Sequence, residues 1–103
     1  VHNREKTINF LGLIQRAGKL VSGTDMVISS IKARKVKLVI IASDLSQATR
    51  QEVVSLAQKN SLPIIDEFSE LEISQAIGKA RKVLAVSDLG FSKALQKKLN
   101  EGV

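Results

Sequence analysis

The sequence predicts an α/β protein, a three-layer α/β/α sandwich around a small four-stranded mixed sheet. Three observations carry that reading. Helical and extended periodicities alternate along the chain. Two short runs, Lys37–Ala42 and Val83–Ser87, are apolar on both faces, as strands covered by helices on both sides must be. Glycine, serine, asparagine and one proline fall at the boundaries between segments, where turns and caps need them.

Each element has its own justification. Asn3–Ala17 carries Phe10, Leu13, Ile14 and Ala17 at the spacing of one helical face, and Gly18 ends it as a C′ glycine. Leu20–Ser22 is a short strand. A helix capped by Ser22 or Thr24 then runs to about Arg34, with Val27, Ile28 and Ile31 inward. After the Lys37–Ala42 strand, Ser43–Asp44 turns. A helix over Ser46–Asn60 places Thr49, Val53, Leu56 and Ala57 on one stripe and breaks at Asn60–Ser61. Pro63–Asp66 reads as a strand near an edge, because proline cannot donate to a ladder. Ser69 stands three residues before Glu72, the capping-box spacing, and Gly78 ends that helix. Lys79–Lys82 is a basic loop, Val83–Ser87 a buried strand, and Asp88–Asn100 a closing helix with Phe91, Ala94, Leu95 and Leu99 inward.

A chain of 103 residues can bury one core and not two, so residues 1–103 are expected to form a single domain. Its hydrophobic fraction of 44% is that of an ordinary globular protein and argues against disorder. The longest apolar run, Leu38–Ala42, is far too short to span a membrane. The first residues are polar and charged, so no secretory signal is expected. There is no cysteine, which excludes disulfides and thiolate metal sites and fits a reducing cytoplasm.

The formal charge of +6 is segregated. Residues 16–37 hold Arg16, Lys19, Lys32, Arg34, Lys35 and Lys37 against Asp25 alone, residues 77–103 are also basic, and the middle of the chain is acidic. That division implies a basic face and an anionic partner. Catalysis finds no support. His2 is the only histidine, with no metal-ligand spacing or nucleophile partner, and neither G-x-G-x-x-G nor G-x-x-x-x-G-K-[ST] occurs. With no tryptophan or tyrosine, and three phenylalanines expected inside, stacking on single strands is disfavoured.

The run G-T-D-M-V-I-S-S-I-K-A-R-K-V-K-L-V-I-I-A-S-D, Gly23 to Asp44, resembles the signature of the kink-turn-binding ribosomal proteins, the L-seven-Ae and L-thirty-e superfamily. Lys37–Asp44 matches the second half of that signature almost residue for residue. The helix after the aspartate, K-x-x-x-P-I-I at Lys59–Ile65 and A-I-G at Ala76–Gly78 extend the likeness over nearly the whole chain. L-G-L-I-Q-R-A-G-K-L and D-x-G-F-S-K-A-L are similar to the small bacterial YlxQ-like branch.

The resemblance implies a non-catalytic, ribosome- or RNP-associated protein that binds a kink-turn, a sharply bent RNA with tandem sheared G·A pairs, through the start of its second helix and the loop before its last strand. It implies no cofactor and no metal, and a monomer is expected. The RNA-facing residues it indicates are Lys19, Gly23, Thr24, Asp25, Met26 and Ser29, with backbone contacts from Lys32, Arg34, Arg81 and Lys82. Asp25, Met26 and Ser29 stand where the family carries Asn-Glu…Lys. Read without the family, Lys32, Arg34, Lys35 and Lys37 are each a solvated cation at a helix C-terminus, though as a cluster they read as functional, Asp25 is a first-turn acid, and Met26 is core filling. The alternative is a protein-interaction module on the same fold, its acidic Asp66, Glu67, Glu70 and Glu72 offered to a basic partner.

Overall fold

The computed structural model of the chain describes residues 2–100. Its elements follow the expected alternation: α1 (His2–Arg16), β1 (Leu20–Ser22), α2 (Thr24–Lys32), β2 (Leu38–Ile41), α3 (Gln47–Lys59), β3 (Ile64–Ile65), α4 (Glu70–Ile77), β4 (Val83–Val86) and α5 (Leu89–Asn100). The side chain of His2 lies outside the described residues. The sheet order is β1-β4-β2-β3. β4 pairs antiparallel with both β1 and β2, while β2 and β3 run parallel, so the sheet is mixed. Helices α1, α4 and α5 pack together, and α2 packs on α3, which gives one helical layer on each side.

The centre of the core is the β2–β4 pair. All eight of its residues are buried, because helices cover both faces. Each fully buried Leu, Ile or Val side chain contributes roughly 1.5–3 kcal/mol. β3 sits at the edge as the proline implied, and the Pro63 carbonyl still accepts a bond from Val39 N–H at 3.0 Å. No helix among the described residues is long and apolar enough to cross a membrane.

Helix ends show how local chemistry and tertiary demand combine. Gly18 (φ 74°) closes α1 with paired bonds, Lys19 N–H to Ile14 C=O at 3.1 Å and Gly18 N–H to Gln15 C=O at 2.9 Å. That is the Schellman pattern, with glycine at the left-handed position. α2 and α3 end in the same pattern with non-glycine residues there, Arg34 (φ 58°) and Ser61 (φ 55°). Ser69 and Glu72 form the expected capping box, and Gly78 (φ 74°) ends α4.

Three expectations need correction. α1 buries Thr7, Leu11 and Ile14, whereas Leu13 and Ala17 are exposed. The buried face is set by α4 and α5, and it lies one position round from the stripe that hydrophobicity alone marks. α2 is not capped by Ser22 or Thr24. Its N-cap is Gly23 (φ 102°, ψ 141°), with no side-chain cap bond, and the Gly23 N–H is instead bonded to Val83 C=O at 2.9 Å. Of the three phenylalanines only Phe68 is fully buried. Phe10 and Phe91 are half-buried and lean on each other, ring centroids 5.8 Å apart.

Arg4 staples α1 to the start of α4. Its guanidinium forks onto Glu72 at 2.6 and 3.1 Å, donates to Glu67 C=O at 2.8 Å, and lies 4.8 Å from the centroid of the Phe68 ring. The hydrogen bond from Arg4, then that from Ser69 N–H, holds the Glu72 carboxyl below its ordinary value of 4.5. A depressed folded pKa stabilises above the unfolded value, and this stabilisation is lost as pH falls through the lowered one. Glu72→Gln is therefore expected to cost about 1 kcal/mol at neutral pH. In chemical denaturation the gap between the two proteins should close as the solution is taken well below pH 4.5. A gap independent of pH would show that the carboxylate charge is not what stabilises.

A second stability test uses Gly12, buried where α1 crosses α4. A Cβ there would lie 3.0 Å from the Ala76 carbonyl oxygen, a backbone atom that cannot swing aside. Alanine would gain about 1 kcal/mol of helix propensity, but overpacking costs about 1–3 kcal/mol. Gly12→Ala is expected to lower stability by about 1 kcal/mol net, read as a fall in the denaturation midpoint.

Candidate nucleic-acid interface

A shallow hollow of about 490 Å³ opens where β1 ends and β4 begins. Gly23, Thr24, Asp25 and Met26 form one wall, Ala80, Arg81 and Lys82 the other, and Ser22 and Glu70 complete it. Gly23 brings the walls together. Its backbone N–H joins α2 to the first residue of β4, and its C=O accepts the first helical bond from Val27 N–H at 2.9 Å. A Cβ on Gly23 would lie 3.9 Å from Arg81 Nε, so space would admit alanine. The φ of 102° would not be comfortable for it, and glycine is required here for conformation.

The second wall is anchored from behind. Arg81 N–H donates to Ser74 Oγ at 3.1 Å, the Ser74 hydroxyl donates to Arg81 C=O at 3.4 Å, and Ala42 N–H donates to Lys82 C=O at 2.8 Å. Glu70 is held by its own N–H, which donates to Asp44 Oδ1 at 2.9 Å. Asp44 thus ties the turn after β2 to the start of α4.

The structure gathers Gly23, Thr24, Asp25, Met26, Arg81 and Lys82 at this hollow. Ser29 is exposed one turn further along α2. Met26 is 62% exposed at the rim, so the core-filling expectation for it is overturned: Val27 and Ile31 take the inward face of α2. Lys19, Lys32 and Arg34 are not at the hollow. Lys19 stands at the far end of β1, its carbonyl bonded to Ser87. Lys32 lines a groove toward α3 with Glu52 and Lys59. Arg34 lies beyond the C-terminal end of α2, about 13 Å of helix away.

The charge at the hollow is balanced: Asp25 and Glu70 offset Arg81 and Lys82. The helix N-terminus adds a partial positive charge of about one half. The site therefore offers acceptors as well as cations, which suits base edges alongside phosphate more than phosphate alone. Sequence reasoning missed Glu70 and Ser74. Glu70 was read only as part of an acidic surface, and nothing in the spacing shows that α4 backs the 79–82 loop. Among the described residues no group of three or more His, Cys, Asp or Glu side chains could hold a metal.

The model of the ribosomal protein L7Ae/L30e/S12e/Gadd45 family matches residues 6–96. The chain is 43% identical over 100 residues to the RNA-binding protein YlxQ of Enterococcus faecium, covering 97% of this chain and 96% of that one. It is 33% identical to the large ribosomal subunit protein eL30 of Sulfurisphaera tokodaii, covering 89% of each. A solved structure of a protein of unknown function from Bacillus halodurans superposes with a TM-score of 0.88 at 30% identity, covering 92% of this chain and 97% of that one. With its fold, its glycine-led second helix and the basic loop opposite, the chain belongs to the ribosomal protein L7Ae/L30e/S12e/Gadd45 family, in its YlxQ-like branch.

Proposed function

We propose that this chain is a non-catalytic RNA-binding protein that recognises bent, structured RNA of the kink-turn type, acting as a single domain in a ribosomal or other ribonucleoprotein setting in the cytoplasm. The observation that carries the reading is the pairing of two walls across one hollow. The start of α2 presents backbone N–H donors and the Asp25 carboxylate acceptor, and the 79–82 loop presents Arg81 and Lys82. Family membership and the names of the relatives support it. Gly23, Thr24, Asp25, Met26 and Ser29 face the distorted base pairs in this reading, and Arg81 and Lys82 the adjoining backbone. Lys32 meets RNA only if an arm runs along α2, and Lys19 and Arg34 only if the RNA wraps further.

The competing reading, a module offering its acidic surface to a basic protein, is weakened by how those acids are used. Glu72 is taken by Arg4 and Asp66 by Arg50 at 3.2 Å. Half of the proposed acidic patch is already neutralised within the chain.

Labelled kink-turn RNA, titrated against a version with its G·A pairs replaced and across several salt concentrations, tests the proposal. Tighter binding to the intact kink-turn is expected. Arg81→Gln with Lys82→Gln should weaken both RNAs and reduce the slope of log affinity on log salt by about 1–2. Equal, steeply salt-dependent binding to both RNAs would reduce the protein to a charge binder, and no binding would favour the protein-partner reading.

The family's missing base-reading groups give a gain-of-function test. Restoring them with Met26→Glu and Ser29→Lys should tighten kink-turn binding by roughly tenfold or more, since each base-edge contact is worth about 1–3 kcal/mol in comparable readout. Unchanged affinity would place the RNA elsewhere on the molecule.

A further inference from the structure

At the opposite end of the sheet lies a second and larger hollow, of about 600 Å³. It sits where β2 begins and β4 ends, roughly 13 Å of strand from the first site. Its rim carries Arg34, Lys37, Lys59 and Lys93, and among the described residues no acid lines it. Its floor is apolar, built on Val36, Leu62, Pro63 and Leu89. Leu89 is 53% exposed, although it opens α5 at a place where a polar residue would serve. The groove continues along α5, where Lys93 and Gln96 are joined by Lys97.

We infer that this hollow is a docking site for a short acidic protein segment carrying one bulky apolar side chain. An apolar centre within a charged rim is the anatomy of a protein interface, and the centre supplies the anchor. RNA would use the cations, but its phosphates gain nothing from an exposed leucine floor, and no aromatic side chain lines the hollow for a base to stack on. A hollow of about 600 Å³ has the size of a site that takes part of an extended segment.

The electrostatics favour an acidic occupant. The C-terminal ends of α2 and α3 meet here, each contributing about half a negative charge, and the N-terminal end of α5 returns about half a positive one. Against that small negative balance stand four full cations. The Schellman bonds at Arg34 and Ser61 also occupy carbonyls that would otherwise repel a carboxylate. Because the two hollows lie at opposite ends of the sheet, RNA and segment can be held together.

The test uses the full chain, isotope-labelled, titrated with dodecapeptides of Glu and Ser that carry a central Leu, Phe or Met, and with a fully Glu/Ser control. Saturable amide shifts confined to the hollow and the α5 groove are expected from at least one anchored peptide, with at least tenfold weaker binding of the control. Leu89→Ser should abolish the advantage of the anchor, and Lys59→Gln with Lys93→Gln should weaken every peptide several-fold. Neither variant should alter kink-turn RNA binding or the thermal midpoint by more than a few degrees. Equal binding of anchored and control peptides, absence of saturable shifts from the whole panel, or tighter binding there of an RNA duplex unaffected by Leu89→Ser would each overturn the inference.

Discussion

The antiparallel ladder between β2 and β4 is the constraint from which the rest of the molecule hangs. Both strands are apolar on both faces, so a slip of one residue would bury the same kinds of side chain. Burial alone does not choose the register. Backbone bonds extend the sheet at both ends. Lys37 N–H reaches Val86 C=O at 2.7 Å, Ala42 N–H reaches Lys82 C=O at 2.8 Å, and Gly23 N–H reaches Val83 C=O at 2.9 Å. Two of these bonds belong to the walls of the first hollow. Bonds that extend the sheet at this end also set the start of α2 against the 79–82 loop.

That coupling explains why the fold was easier to read than the site. The β2 and β4 segments announce themselves because a strand covered on both sides needs apolar residues throughout. Ser69 and Glu72 announce a cap because the motif is local. Gly18 and Gly78 announce helix ends for the same reason. Arg34 and Ser61 do not, since only the return of the chain toward β2 and β3 forces a non-glycine residue into a left-handed conformation. The inward face of α1 was misread because α4 and α5 select it, and hydrophobic spacing cannot say where the neighbours stand. At the site the residues of α2 and the basic loop were legible as separate features. Their meeting was indicated only by the family resemblance, and the supporting role of Ser74 not at all, because both depend on contacts between segments some sixty and seven residues apart.

The basic segment 16–37 gains a different meaning from its placement. Along the sequence it looks like one positive patch. In the fold it is divided by the length of α2 and β1, with Thr24 and Asp25 at one end and Lys19, Arg34 and Lys37 toward the other. The end at the first hollow is nearly neutral, and the opposite end is strongly cationic. A protein that met RNA by charge alone would be expected to place its cations where its reading residues are. On the proposed reading, recognition at the first hollow relies on shape and hydrogen bonding, with Arg81 and Lys82 as local reinforcement. The remaining positive charge is then free for another task. α2 is the rod between the two ends: its glycine start is fixed to β4, and its Arg34 stop is fixed by its own Schellman bonds. A rigid helix closed at both ends holds two differently charged surfaces at a fixed distance, and that is the geometry by which a small chain could present a bound RNA to a second partner.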